Sequence, residues 1–291
     1  MQRIRVLGPV LLAALALTAT GAGAASAAGP IWYTCAKAPK NEAGQYTGHY
    51  ETKACKSAEY KASGGKYELR AGVGKGKKFK TSSGTVLFHT INPESGADVP
   101  IECASLKGEG YAAPPNLLVK VKIAFSKCHV LKGPCGNVKQ ETLETKTLSG
   151  QLGWIDQAAG VVGIDLASEA EPGGPMAEFF CEALGQLRIR GSIIGRAQGD
   201  VEAVTNASVL SYAPGRLIGK VVWNESGETY EPIVNIPRFE GGPIDIQRAE
   251  IKGSLTGHPQ EFYPAGGLPS GLEATAVSKG EALGIYPEGS Q

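Results

Sequence analysis

Lysine is the residue type whose spacing most clearly suggests a chemical role in this sequence. Within a glycine-rich stretch at residues 72–80, four lysines are closely clustered. They are Lys75, Lys77, Lys78 and Lys80. Clustered ammonium groups raise the local positive potential and favour contact with an anionic polymer. The other interpretation is a solvated linker, and both interpretations predict a mobile basic loop. The spacing of Gly72 and Gly76 is one residue short for a phosphate-binding P-loop.

Six cysteines form the second set of reactive side chains. They are Cys35, Cys55, Cys103, Cys128, Cys135 and Cys181. An even number of cysteines in an exported chain favours disulfides. Closeness in sequence and the expected strands favour the pairs Cys35 with Cys55, Cys128 with Cys135, and Cys103 with Cys181. No Cys-x-x-Cys pair is present and no two histidines have helical spacing, so we expect neither a metal nor a cofactor.

No nucleophile and base are arranged for catalysis, and no catalytic residue is predicted. No serine occurs in a Gly-x-Ser-x-Gly frame. Cys128 precedes His129, but neighbouring residues on a strand point to opposite faces, and an exported cysteine among six is expected to be oxidised. The other histidines, His49, His89 and His258, are widely separated in the sequence.

Paired carboxylates are the remaining route to catalysis, because glycosidases need two acids on opposite sides of a sugar. The candidates are Asp156, Asp165, Glu178 and Glu182. The first two flank a predicted turn, and the last two lie on the next predicted strand. Arg188 and Arg190 project from one predicted strand face, where we expect them to pair with these acids in a structural role.

The first 27 residues have the three parts of a secretory signal. Arg3 and Arg5 form a charged start, residues 6–17 are an apolar run, and residues 25–27 are small. The apolar run is shorter than the roughly 20 residues that a membrane span needs. We therefore expect cleavage near Ala27, a secreted mature chain and no membrane span within it.

Charge is unevenly distributed along the chain. The formal net charge is +1 at pH 7, and removal of Arg3 and Arg5 leaves −1. Between residues 37 and 80, eleven Lys or Arg residues face four Glu residues, a net of +7, so the rest of the mature chain carries −8. This asymmetry is the clearest compositional signal in the chain.

Alternating apolar residues from about residue 84 onward predict β-strands. The clearest strand is 117–125, in which five apolar side chains are expected on one face: Leu117, Val119, Val121, Ile123 and Phe125. Lys120 and Lys122 then point to the opposite, wet face. A change of apolar phase within residues 244–255 predicts a bulge near Arg248.

The expected fold class is all-β. Consecutive hairpins favour an antiparallel barrel or sandwich of roughly ten strands, because closure or stacking protects the strand edges. Residues 28–80 are expected to form a small basic module that a disulfide staples, and residues 81–257 the main antiparallel β domain. Residues 258–291 are rich in Gly and Pro, with room for a last hairpin at residues 273–286.

Several short motifs occur together along the chain. They include LSGQLGWI at residues 148–155, VGIDL at 162–166, RGSIIG at 190–195 and FEGGP at 239–243, with Trp32, Cys35 and Cys55 before them. Together they resemble a group of secreted, β-rich bacterial proteins that have a Cys-containing N-terminal module. The resemblance covers about residues 32–257 and implies export and β structure. It implies no substrate, cofactor or catalytic residue.

Two classes of function follow from these observations. The first is an exported, non-enzymatic extracellular β protein, a binding or structural component of the cell surface or the secreted medium. Its expected partner is an anionic cell-envelope polymer or glycan held by the four lysines, and nucleic acid is not expected. A barrel that encloses a small ligand is a variant of this class. The second class is a hydrolase that acts on extracellular glycans through paired carboxylates.

Overall fold

The structure is a computed structural model, and it describes most of the chain after residue 28. The described residues are 29–74, 76–92, 97–136, 142–171, 173–198, 204–212, 222–224, 227–229, 239–242, 247–253 and 258–287. Within them the protein is all-β, apart from one 3₁₀ turn at Ser57–Glu59. These residues contain no helix long and apolar enough to cross a membrane.

The strands are numbered in chain order. They are β1 (Pro30–Lys37), β2 (Tyr67–Ala71), β3 (Lys77–Ser83), β4 (Val86–Ile91), β5 (Asp98–Ala113), β6 (Leu117–Val130), β7 (Gly133–Pro134), β8 (Thr142–Glu144), β9 (Leu148–Asp156), β10 (Val161–Ser168), β11 (Pro175–Cys181), β12 (Gly185–Arg190), β13 (Ser192–Gln198), β14 (Thr205–Tyr212), β15 (Val222–Asn224), β16 (Gly227–Thr229), β17 (Gln247–Gly253) and β18 (His258–Pro287).

A closed antiparallel barrel is the centre of the fold, which confirms the predicted fold class. Its strands follow the order β18, β14, β13, β10, β9, β6, β5 and β3, and β3 pairs again with β18 to close the ring. The inward side chains of β9 and β10 are buried, and three of them, Leu148, Leu152 and Val162, are at most 2% exposed. Closure leaves no free strand edge in this ring, and the packed interior buries its apolar faces.

A second ring shares the long strands of the barrel. The first part of β18 continues through β17 and β12 to β11. Isolated bridges from Ala177 to Thr145 and from Cys181 to Cys135 then connect β11 to the β7 and β8 side of β6. From β6 the ring returns through β5 and β4 to β18. Strands β5, β6 and β18 therefore hold both rings in one core.

The last strand corrects the expectation of a Gly/Pro-rich tail with a hairpin. Strand β18 has 30 residues and pairs with β1, β3, β4, β14 and β17. Its apolar signal is weak because the inward positions in the barrel are small, including Ala274, Ala276 and Ser278, each at most 8% exposed. Small side chains fit a strand that faces neighbours across a narrow interior.

The stapled module is joined to the end of the chain. A small core contains Tyr33, Tyr50 and Leu69 together with Val204 and Tyr286. The Tyr286 hydroxyl donates a hydrogen bond of 2.6 Å to a backbone carbonyl of the module, and β1 pairs with β18. The predicted boundary at residue 80 falls inside β3, a strand of the barrel, so it does not mark a linker.

All six cysteines form disulfides, but two of the predicted pairs are wrong. The Cys35–Cys55 bond is confirmed, whereas Cys103 bonds to Cys128 and Cys135 bonds to Cys181. Cys128 has Cys103 and Cys135 on its two neighbouring strands. The Cα atoms of Cys103 and Cys128 are 4.0 Å apart, as in the closer, non-hydrogen-bonded kind of cross-strand pair. The backbone N–H of Cys135 instead donates to the Cys128 carbonyl, which marks the wider kind of pair.

A bulge changes which residues of β6 face the core. Lys120 has a φ of +53°, and the pairing of β6 with β9 shifts between Leu118 and Val121. Leu118 is buried as a result, and Leu117 is 37% exposed, so the predicted single apolar face is wrong in its first half. Strand β17 also changes register beside Ala249, which confirms the irregularity predicted near Arg248.

Closure of the barrel by β3 and β18 is testable at Gly280, which pairs with Phe79. A methyl group added there would lie 2.6 Å from the Lys78 carbonyl oxygen, so Gly280→Ala is expected to separate the two strands. We expect a loss of about 2 kcal/mol in the free energy of unfolding, measured by urea denaturation. Gly84→Ala is the matched control, because nothing lies within 4 Å of its added methyl group. Equal stability of the two variants would contradict the closure.

Candidate functional site

A positively charged surface lies on the outside of the barrel, across four neighbouring strands. We call it the basic face, and its lysines are Lys78 and Lys80 of β3, Lys107 of β5, Lys120 and Lys122 of β6, and Lys279 of β18. Strand register places them together, because Lys80 lies opposite Lys279 on one side and Glu109 on the other. Glu109 in turn lies opposite Lys122. All six lysines are exposed.

Two of the four predicted binding lysines, Lys78 and Lys80, belong to this surface, and they lie on a strand and not on a loop. Lys78 and Lys80 point outward from β3, while Lys77 lies at the start of that strand and pairs with Glu281. Lys75 lies outside the described residues. The prediction of a mobile loop is therefore wrong for residues 77–80, because β3 is hydrogen-bonded to β5 and β18.

The other lysines of the basic face lie on strands that are distant from β3 in the sequence. Lys107, Lys122 and Lys279 are separated from the predicted cluster by up to about 200 residues. The outward positions of Lys120 and Lys122 were evident from alternation alone. Their closeness to Lys80 could not be inferred, because it depends on the order of strands in the barrel.

Glu109 is the acidic group at the centre of the basic face. Its carboxylate lies 2.9 Å from the Lys78 ammonium group. Hydrogen bonding to Lys78, followed by the charges of Lys78, Lys80 and Lys122, lowers the pKa of Glu109. The same contact with Glu109 raises the pKa of Lys78. The ion pair with Lys78 and the strand register place three ammonium groups near this one carboxylate, so positive charge is in excess.

Five lysines of the basic face lack an acidic partner. In the part of the chain that the structure describes, no carboxylate oxygen lies within 4.0 Å of their ammonium groups. They are Lys80, Lys107, Lys120, Lys122 and Lys279. Exposed ammonium groups that are not used in ion pairs are free to contact anions of a partner.

An apolar margin borders the basic face. Tyr111 lies opposite Lys78 on β3 and opposite Val119 on β6. Leu117 lies two residues before Val119, and Tyr111 and Leu117 are each 37% exposed. The margin therefore offers an aromatic ring and an aliphatic side chain beside the ammonium groups.

The four candidate carboxylates have separate surroundings. The Asp156 carboxylate accepts a hydrogen bond from the Ala159 backbone N–H and so stabilises a turn. Burial raises the pKa of Asp165, against the opposing effect of a hydrogen bond with Ser192. Glu178 forms ion pairs, and Glu182 is exposed. Among the described residues, no hydrogen bond joins any two of these four acids, and Asp156 and Glu178 have other partners, so nothing in the arrangement singles out a catalytic pair.

The pairing expected for Arg188 is confirmed, whereas Arg190 pairs with Glu250, which was not among the predicted acids. Arg188 contacts Glu178 at 3.0 Å, and both arginines contact the buried Glu250, at 3.4 and 3.2 Å. The Arg188 guanidinium also lies 3.8 Å from the centre of the Phe262 ring. This network ties together β11, β12, β17 and β18 on the outside of the second ring.

Cysteine and histidine chemistry has no support in the described residues. Cys128 is bonded to Cys103, so it is not available as a nucleophile beside His129. No group of three or more His, Cys, Asp or Glu side chains in the described part of the chain is arranged to hold a metal ion.

Comparison with known proteins assigns no family to this chain. No family model matches it, and neither a curated protein nor a solved structure does. The basic face is therefore the feature of the molecule from which a function is inferred.

Proposed function

We propose that the protein is exported and binds an anionic polymer of the cell envelope through its basic face. The observation that carries this proposal is the set of five lysines on one outer surface of the barrel that have no acidic partner among the described residues. Export is supported by the secretory pattern of residues 1–27 and by three disulfides, which persist in oxidising compartments.

The geometry of the basic face suits an extended ligand. Alternate residues on a strand are about 6.7 Å apart, and neighbouring strands are about 4.8 Å apart, so the ammonium groups form a grid over four strands. Lysine acts as a flexible point charge and does not select a planar, bidentate anion in the way arginine does. Such a grid matches repeated charges along a polymer better than a single small anion.

Salt dependence tests the proposal. We expect the purified protein to bind polyphosphate and polygalacturonate, two polyanions of different chemistry, and to do so far more weakly as salt increases. Between 50 and 200 mM NaCl the affinity is expected to fall on the order of 100-fold, because binding releases condensed counterions. Fluorescence anisotropy with labelled polymers measures this change. Absence of binding to both polymers, or binding that salt does not weaken, would exclude the proposal.

A further inference from the structure

We infer that the polymer is an anionic polysaccharide and that Tyr111 stacks against its sugar rings. This inference rests on the proposed function, since it names the ligand class of the same surface. A sugar ring has one polar rim and an apolar C–H face, so a polysaccharide with acidic groups needs both ammonium groups and a flat apolar contact. The basic face and its margin provide the two together.

The register of β3, β5 and β6 shows which residues lie beside Tyr111. Tyr111 on β5 lies directly opposite Lys78 on β3, and its phenol is close enough to influence the pKa of that lysine. The next outward residue on β5 is Glu109, which Lys78, Lys80 and Lys122 surround. A chain lying across these strands would place one ring over Tyr111 while its acidic groups contact the lysines of the neighbouring row. Leu117 extends the apolar margin along β6.

A lipid bilayer is the competing partner for a basic surface with apolar residues. Insertion into a membrane requires apolar side chains that protrude, usually from a loop or an amphipathic helix. Tyr111 and Leu117 instead lie on strands within the barrel wall, and each is only 37% exposed. Side chains held on strands at this modest exposure suit stacking on a ring and not penetration of a bilayer.

The test compares two substitutions at residue 111 with two polymers. Tyr111→Thr removes the ring but keeps a side chain favoured in strands, and Tyr111→Phe keeps the ring. We expect Tyr111→Thr to weaken binding to polygalacturonate about fivefold, within the range of aromatic contacts, and to leave binding to polyphosphate unchanged. Tyr111→Phe is expected to bind both polymers as the unmodified protein does. Circular dichroism and thermal unfolding verify that both variants are folded.

Other outcomes overturn the inference in distinguishable ways. If polyphosphate and polygalacturonate lose affinity equally in Tyr111→Thr, the tyrosine does not recognise sugar rings, although polyanion binding stands. If both variants bind polygalacturonate normally, the ring makes no contact. If phosphatidylglycerol vesicles bind and Tyr111→Thr impairs only that binding, the partner is a membrane. Failure of the unmodified protein to bind either polymer would remove the proposed function itself.

Discussion

Replacing Cys135 and Cys181 by alanine is expected to lower the free energy of unfolding by about 4 kcal/mol. The two cysteines are 46 residues apart in sequence, and a cross-link that closes a loop of this length strongly restricts the unfolded chain. Both side chains are at most 2% exposed, so the substitution also removes packed sulfur atoms from the core. Strand β11 is joined to the β7 side of β6 only by isolated β-bridges among the described residues, and the disulfide stabilises this connection.

Removal of the Cys35–Cys55 bond provides the comparison. It spans 20 residues, so its loss is expected to be smaller, about 3 kcal/mol. Urea unfolding of both double-alanine variants measures the difference, and peptide mapping under non-reducing conditions identifies the bonds. A peptide that links Cys128 to Cys135 would contradict the connectivity. The connectivity would also be contradicted if the variant that lacks Cys135 and Cys181 were as stable as the unmodified protein.

Local sequence patterns predicted which segments form strands better than they predicted which strands pair with each other. The alternation that marks β5 and β6 reflects one wet and one buried face, which a sequence records directly. Strand β18 was predicted only as a last hairpin at residues 273–286, because its inward positions in the barrel, including Ala274, Ala276 and Ser278, are small and give a weak apolar signal. Their burial depends on the narrow interior that seven other strands create, and only the closed ring contains that information.

The disulfides illustrate the same limit. Cys128 lies between two cysteines of adjacent strands, and sequence distance favoured the nearer one, Cys135. The choice between them depends on which cross-strand pair is hydrogen-bonded and which brings the side chains closer. A shift of one residue in the strand register would change which cysteine lies close enough to bond to Cys128. The bulge at Lys120 is equally invisible in the sequence, because a non-glycine residue with a positive φ has no compositional signal there.

The candidate site was predicted in part. Lys77, Lys78 and Lys80 were identified as basic residues, but they were assigned to a loop because glycines precede them. Their counterparts on β5, β6 and β18 are not clustered with them in the sequence. A charged surface assembled from distant strands becomes apparent only when the strand order is known.

Changing Lys80, Lys107, Lys122 and Lys279 together to glutamine is expected to weaken polyanion binding at least 100-fold at 50 mM NaCl. Each of these ammonium groups lacks an acidic partner among the described residues. A pair of unit charges about 4 Å apart in water is worth about 1 kcal/mol, and four such contacts account for a loss of that size. The matched control removes the same charge from elsewhere. Its substitutions are Lys40→Gln, Lys53→Gln, Lys66→Gln and Lys132→Gln, all at exposed positions.

Glu109→Gln tests the same surface in the opposite direction. Removing this carboxylate releases the Lys78 ammonium group from its 2.9 Å ion pair and removes the negative charge that interacts with Lys80 and Lys122. We expect the affinity for polyphosphate to rise about fivefold, since one repulsive charge is lost and one cation is freed. Loss of affinity in the lysine variant could result from misfolding, but a gain of affinity in Glu109→Gln could not. If the two sets of lysine substitutions weaken binding equally, the polymer binds by total charge and not through the basic face. If Glu109→Gln changes nothing, the polymer does not contact the surface around Glu109.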